Sequence, residues 1–244
     1  MTTANRLEGK RALVSGVTSG IGAATARALV ERGMQVVGLG RDASRLASVA
    51  RELGPSFQPL LADLAESAAR RAAVARLPAQ PLDLLVNNAA ECVFESLELL
   101  PAERLSRLFE VNVSAALELV QAALPHMPAG ARIINLSSVV AQHLPSAKFA
   151  AYAATKTALD GLSEGLRLEL LPRGIQVSTL RPGLVDTPIY DKVQGFERTR
   201  HKLREQVPSW LTPEDVADTI VWIASRPPHS VISELTLLPS AQAR

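Results

Sequence analysis

Short apolar runs alternate with helix-like stretches along almost the whole of this sequence. β-prone runs fall at 11–15, 36–39, 57–61, 82–86, 133–136, 175–180 and 235–238. Between them, helical spacing of apolar residues marks 21–32, 43–52, 65–77, 102–127, 150–171 and 213–224. The last of these has Thr212 at its cap and Pro213 in its first turn. Strands separated by helices run parallel, because a parallel pair needs a long crossover connection. The strand runs are continuously apolar, as expected when helices cover both faces of a sheet. The sequence therefore predicts an α/β fold: a doubly wound parallel sheet with helices on both faces. No fixed-period repeat, low-complexity tract or Pro/Ser/Gly linker interrupts the pattern, so residues 1–244 read as a single domain. The irregular part is 184–209, a polar and charged stretch between a strand and the last helix. A stretch that long needs either small helices of its own or a functional role such as a lid or substrate loop.

Composition narrows the function classes. Of the 244 residues 47% are hydrophobic, enough for a sizeable core and against disorder. Cys92 is the only cysteine, which excludes an intrachain disulfide. The 26 basic and 24 acidic residues leave a net charge of +2, poor grounds for a nucleic-acid partner. No run of 18 or more predominantly apolar residues is free of charges or breakers, so no membrane span is expected. The uncharged stretch 12–26 imitates a signal peptide, with Arg6, Lys10 and Arg11 before it and Ala24-Thr25-Ala26 at its end. Gly16, Gly20 and Gly22 break its apolar run, and a cytoplasmic protein is the expectation. His126, His143, His201 and His229 have no metal-ligand spacing with each other or with Cys92, so no metal is expected.

Residues 15–22, Ser-Gly-Val-Thr-Ser-Gly-Ile-Gly, join the first strand to the first helix. A doubly wound sheet holds a dinucleotide at that place. Gly16 permits the tight turn, Gly20 the approach of the backbone to the pyrophosphate, and Gly22 the close packing of helix on strand. Thr18, Ser19 and Ile21 complete the turn, whose free amides face the phosphates. The second strand ends Gly38-Leu39-Gly40-Arg41. No acid stands at its tip to take a ribose 2′-hydroxyl, whereas Arg41 suits a 2′-phosphate, which predicts NADP over NAD. A solvated arginine at a helix start is the plain alternative, and Asp42 would serve the ribose if the loop turned differently.

Tyr152 and Lys156 lie four residues apart in a predicted helix and share a face. A neighbouring ammonium favours phenolate and lowers the phenol pKa, which suits acid–base work. A packed tyrosine beside a surface lysine is the bland reading of the same spacing. Ser137-Ser138 follow an apolar strand just upstream, and Asn112 is an uncharged polar residue between Val111 and Val113 in a helical segment.

With these residues assembled, the sequence resembles the short-chain dehydrogenase/reductase family over about residues 9–239. The matching pieces come in the family's order: 15–22, Asp63-Leu64, Asn87-Asn88-Ala89, Asn112, Ser138, Tyr152 with Lys156, and Pro182-Gly183 followed by Thr187. The resemblance implies a sheet of order 3-2-1-4-5-6-7 and a homotetramer, or at least a homo-oligomer such as a dimer. It implies NADP(H)-dependent interconversion of a carbonyl and an alcohol by hydride transfer. Tyr152 would exchange the proton, Lys156 would lower its pKa and hold the nicotinamide ribose, Ser138 would polarise the carbonyl, and Asn112 would hold a relay water. Asp63 would contact the adenine with Leu64 beside it, Asn88 the adenosine ribose region, and Val185 and Thr187 the carboxamide.

Departures from the family pattern are Ser15 for threonine, Ala90 for glycine, and fourteen rather than about thirteen residues from Ser138 to Tyr152. The C-terminus is similar to a subgroup acting on hydroxy acids, serine or small aldehydes, while Asn-Asn-Ala-Ala is similar to dicarbonyl and xylulose reductases. The substrate is thus a small hydroxy acid, aldehyde or dicarbonyl. Arg198, Arg200, His201 and Lys202 make the lid basic, which would favour an anionic substrate; solvated faces are the expectation for 198–200 and for Arg70-Arg71. Tyr190, Phe196 and Trp210 are expected to pack the lid, and His143 lies in a loop where it is either exposed or touches substrate. The competing class is a non-catalytic dinucleotide-binding sensor or interaction module. An epimerase or dehydratase would need a larger C-terminal substrate domain than 244 residues allow.

Overall fold

A computed structural model describes residues 6–77, 80–193 and 195–243; residues 1–5, 78–79, 194 and 244 of the expected single domain, one of them in the expected lid, lie outside the described residues. Seven parallel strands form one sheet: β1 Arg11–Ser15, β2 Gln35–Gly40, β3 Phe57–Leu61, β4 Leu84–Asn87, β5 Arg132–Leu136, β6 Gln176–Pro182 and β7 Glu234–Leu237. Their order is β3-β2-β1-β4-β5-β6-β7, as the resemblance implied. β1 is an interior strand of the sheet, with Leu13 level with Val37 of β2 and Leu85 of β4. The stretch that imitates a signal peptide is therefore an interior strand, the turn and part of the helix that follows.

Among the described residues the α-helices are α1 Gly20–Glu31, α2 Ala43–Leu53, α3 Ser67–Val74, α4 Ala102–Phe109, α5 Ala115–Ala123, α6 Ala150–Leu170, α7 Glu197–Gln206 and α8 Pro213–Ala224. Alternate strand residues feed two cores, because successive side chains of a strand point to opposite faces. Ala12, Val14, Leu84 and Val86 pack with Leu29 of α1, Leu46 of α2 and Ile220 of α8. Leu13, Leu85, Ile133 and Val177 pack on the other face with Leu119 of α5 and Leu166 of α6. Each face carries roughly 25 cal/mol of stabilisation per Å² of apolar surface buried, so the runs must be apolar throughout. α8 starts with a full capping box between Thr212 and Asp215. Among the described residues no helix is long and apolar enough to cross a membrane.

Two expectations are revised, and for a third the structure shows the first of its alternatives. The helix expected at 102–127 is α4 and α5 joined by a π-turn, Glu110–Ser114, and closed by a 3-10 turn at Leu124–His126. Segment 184–209 has its own structure: a 3-10 turn at Pro188–Lys192 and then α7. Its ends are tied by a parallel bridge between Val185 and Leu211. Arg70, expected on a solvated face, is 2% exposed. Its guanidinium reaches Glu118 at 2.6 Å, Glu110 at 2.9 Å and the Leu64 carbonyl at 2.6 Å, joining α3 to α5 and to the π-turn.

Candidate active site

The carboxyl ends of the strands open onto one cleft of about 450 Å³. This is where a doubly wound sheet binds its ligand, since the strand order reverses between β1 and β4. Gly16, Thr18, Ser19, Gly20 and Ile21 line it from the first turn, Arg41 from the end of β2, Asp63 and Leu64 from β3, and Asn88 from β4. Tyr152 and Lys156 line it from α6, and Thr187 from beyond β6. The sequence-predicted residues are thus brought together with five qualifications, two of them being that Ser138 and Asn112 lie just behind the wall, next to Ser137 and Val111, which line it. Gly22 is not in the wall: it packs the helix down, and a Cβ there would come within 2.2 Å of the Gly16 carbonyl oxygen. Val185 is 5% exposed, in the core beside its bridge to Leu211 and off the cleft wall. His143 is exposed and also off the wall.

The turn is anchored from β4. Ser15 Oγ accepts from the Asn88 and Ala89 amides at 3.0 Å each, so the serine hydroxyl alone holds both. Asn88 Nδ2 donates to the Ser15 carbonyl at 2.8 Å. Gly16 itself sits at φ 75°, the left-handed region where a side chain is strained. Ser19 caps α1 without a side-chain bond, which leaves the first amides of α1 open to the cleft.

The Tyr152–Lys156 pair departs from expectation. Lys156 Nζ lies 5.7 Å from the Tyr152 ring centroid and donates to the Leu136 carbonyl at 2.7 Å. Burial pulls the ammonium down to about 8. Burial also pushes the Tyr152 phenol well above its usual value, with only the Ser138 hydroxyl opposing the rise. Tyr152 is half-buried on the cleft wall, where burial favours the neutral phenol and one cation bonded to a carbonyl does not offset that. The phenol is therefore a protonated donor here, not an acidified one. Ser138 caps a short turn, its Oγ accepting from the Val140 amide at 3.3 Å. Ser137 faces inward and donates to the Lys156 carbonyl at 3.3 Å, a structural bond.

Asn112 lies in the π-turn, 2% exposed. Nδ2 donates to the Glu91 carbonyl and to Thr155 Oγ1, each at 2.9 Å, and Oδ1 accepts from the Glu91 amide at 2.8 Å. A π-turn at a functional residue is a common device, since it turns one side chain out of the helical register. The buried asparagine is what the sequence showed; the π-turn left no mark in it.

Sequence reasoning missed the charged wall at the other end. Arg45, Arg104, Arg107 and Glu91 line the cleft with Arg41 and Asp63. Glu91 takes Arg41 at 2.6 Å and Arg107 at 3.0 Å. Burial works against the charged form of Asp63, but the Ala65 amide and Arg107 outweigh it and hold the carboxyl below its ordinary range. Glu91 directly follows Asn-Asn-Ala-Ala, the one signal that pointed near it.

On the far side of Tyr152, behind the cleft wall, lies a buried aromatic cluster. Phe94, Phe149 and Phe196 meet edge to face at 5.0–5.7 Å, and Tyr190 stacks on Phe196 at 4.9 Å. Tyr190, Phe196 and Trp210 pack the lid as expected. In segment 184–209, Arg200 pairs with Asp191 and Asp186, and Arg204 with Asp186.

The glycine cradle, the open amides of α1 and the arginine-rich end fit a phosphorylated dinucleotide. Glycine-turn residues would hold its pyrophosphate, Arg41 a 2′-phosphate, and Lys156 a ribose near Tyr152.

The family model for short chain dehydrogenases matches residues 10–197. Serine 3-dehydrogenase of Agrobacterium fabrum is 35% identical over 240 residues, covering 95% of this chain and 94% of that one. A probable NADP-dependent dehydrogenase of Haemophilus influenzae is 35% identical over 243 residues, with the same coverage. Among solved structures, a short chain dehydrogenase from Burkholderia cenocepacia in complex with NADP superposes with TM-score 0.89 at 34% identity, covering 98% of this chain and all of the other. The closed form of a serine dehydrogenase with NADP+ gives TM-score 0.87 at 29% identity, covering 96% of each chain.

Proposed function

The chain belongs to the short-chain dehydrogenase/reductase family, and on that premise we propose an NADP(H)-dependent enzyme that interconverts an uncharged aldehyde or ketone and its alcohol. Membership makes it an oxidoreductase acting on CH–OH with a nicotinamide cofactor. The observation that carries the reading is that Tyr152 and Lys156 share one cleft with the glycine turn. A non-catalytic sensor has no use for that arrangement.

The bound dinucleotide supplies or receives the hydride. The protein then has to position the carbonyl and manage one proton. Tyr152, kept protonated by burial, gives its phenolic proton to the carbonyl oxygen, and takes it back when the alcohol is oxidised. Ser138, beside that phenol, hydrogen-bonds the same oxygen. Lys156 is the nearby cation that supports the phenol when it is deprotonated, and it orients a cofactor ribose. Asn112 holds the segment between cleft and α6 in place through Glu91 and Thr155, and its site is where a relay water belongs.

Preference for NADP(H) rests on Arg41 and on the three further arginines at that end. It is supported by the relatives whose names carry NADP. The aromatic cluster packed against Tyr152 supports an uncharged aldehyde or dicarbonyl over the hydroxy acid also considered. A carboxylate buried there without a partner costs several kcal/mol. The serine dehydrogenase names among the relatives support the hydroxy acid instead. A homotetramer or dimer is supported by Phe109, Leu168, Leu171 and Trp222, apolar yet exposed at 36%, 57%, 66% and 41%. The test is turnover with NADPH and NADH on a panel of aldehydes, diketones and hydroxy acids, read at the nicotinamide absorbance. NADPH-dependent reduction of neutral carbonyls is expected; turnover confined to hydroxy acids, or to NADH, overturns the respective part.

A further inference from the structure

Arg41 has one acidic partner among the described residues, and that partner reaches it from the opposite wall of the cleft. The other acids nearby are otherwise engaged. Asp42 caps α2, accepting the Arg45 amide at 3.0 Å. Asp63 accepts the Ala65 amide at 3.0 Å and lies 3.3 Å from Arg107. Glu91 alone extends to Arg41, at 2.6 Å, while a second contact at 3.0 Å holds it to Arg107.

We propose that Glu91 is a built-in competitor for the cofactor's 2′-phosphate, occupying the anion position on Arg41 in the free protein and giving it up when NADP(H) binds. The proposal rests on the reading that Arg41 takes that phosphate. Both ligands of the arginine are oxyanions, and a guanidinium that already holds a carboxylate must release it to face a phosphate squarely. Two features make the exchange local. The Glu91 backbone is fixed on both sides by Asn112, so only the side-chain torsions have to change. Arg107 also bonds both carboxylate oxygens of Glu91, at 3.2 Å from its Nε, so the displaced acid keeps a cationic partner. NAD(H) carries no 2′-phosphate and leaves the Arg41–Glu91 contact undisturbed. Glu91 is therefore a residue that restrains the preference for NADP(H) rather than one that creates it.

Glu91→Gln tests this, since it keeps the shape and removes the charge. Calorimetric titration would compare the wild type and the variant with NADP+, NAD+, adenosine 2′,5′-bisphosphate and adenosine 5′-monophosphate. None of these measurements involves turnover. Both ligands with a 2′-phosphate are expected to bind about two- to fivefold tighter to the variant, the range a half-exposed ion pair allows. The two without it should bind as before, and the gain should shrink at high salt. Equal changes for all four ligands, or no change for the phosphorylated pair, would overturn the proposal. Arg41→Gln keeps its failure separate from failure of the cofactor reading. If that variant loses affinity for NADP+ but not NAD+ while Glu91→Gln behaves like wild type, only the role of Glu91 falls. If Arg41→Gln binds NADP+ normally, both fall.

Discussion

Asn112 grips Glu91 by both of its backbone polar groups, accepting from the amide at 2.8 Å and donating to the carbonyl at 2.9 Å. One buried carboxamide thus ties the π-turn between α4 and α5 to the loop that carries the cleft's acidic side chain. The same amide reaches Thr155, whose hydroxyl donates to the Tyr152 carbonyl at 2.7 Å. The two ends of the cleft are coupled through one residue.

Asn112→Ala should therefore lower both stability and turnover. It leaves the Glu91 amide and carbonyl without partners, and unsatisfied buried groups cost about 1–3 kcal/mol each. Denaturant unfolding should show a loss of about 2–4 kcal/mol. A variant as stable as wild type would mean that water replaces the lost contacts freely.

Tyr152→Phe removes the proton donor and little else. A positioned general acid contributes about 10²–10⁴-fold to the rate, so kcat should fall by that much. Dinucleotide affinity, measured by calorimetry, should change less than about threefold, the size of a weak hydrogen bond. Retained turnover would remove Tyr152 from the chemistry.

Lys156 gives the protein a pH signature. Its ammonium titrates at about 8 in the folded chain against an ordinary 10.5. Between those values the unfolded chain holds a proton that the folded chain has shed, so raising the pH favours folding. The penalty for burying the cation is full below about pH 8 and is relieved as pH climbs through that window. Against Lys156→Met, the wild type should gain stability at up to about 1.4 kcal/mol per pH unit there. Urea unfolding of both proteins at several pH values between 7 and 10 measures this, and a flat difference would contradict it.

Arg70→Ala should destabilise the fold without touching the cleft wall directly. Its loss strands the Leu64 carbonyl and two acids. Breaking a buried pair costs about 3–5 kcal/mol, and the low end applies because Glu118 and Glu110 keep contact with water. Thermal unfolding is the measurement. A shift within error would mean that the two carboxylates relax fully into solvent.

Much of the fold was legible because its signals are local. β1 and β3 begin and end where their apolar runs do, and α8 starts where Thr212 and Pro213 say it should. The glycine turn is legible for the same reason: Gly16 and Gly20 answer the positive φ of the turn and Gly22 the nearby Gly16 carbonyl, even though Ala89 and Thr187 crowd the first two from far along the chain. The π-turn at Asn112 was not, because the register shift is driven by partners at Glu91 and Thr155, distant in the chain. Arg70 was misplaced because its helix shows basic residues on one face, and only the docked α5 turns that face inward.

The sequence by itself determined the order of strands and helices, the cradle for a dinucleotide and the tyrosine–lysine spacing, since each depends on backbone sterics or helical periodicity. Only the tertiary structure decided the protonation of Tyr152, the burial of Arg70 and the bridge from Glu91 to Arg41. Those depend on local dielectric and on charges that meet across loops from different strands, and no spacing in the chain encodes either.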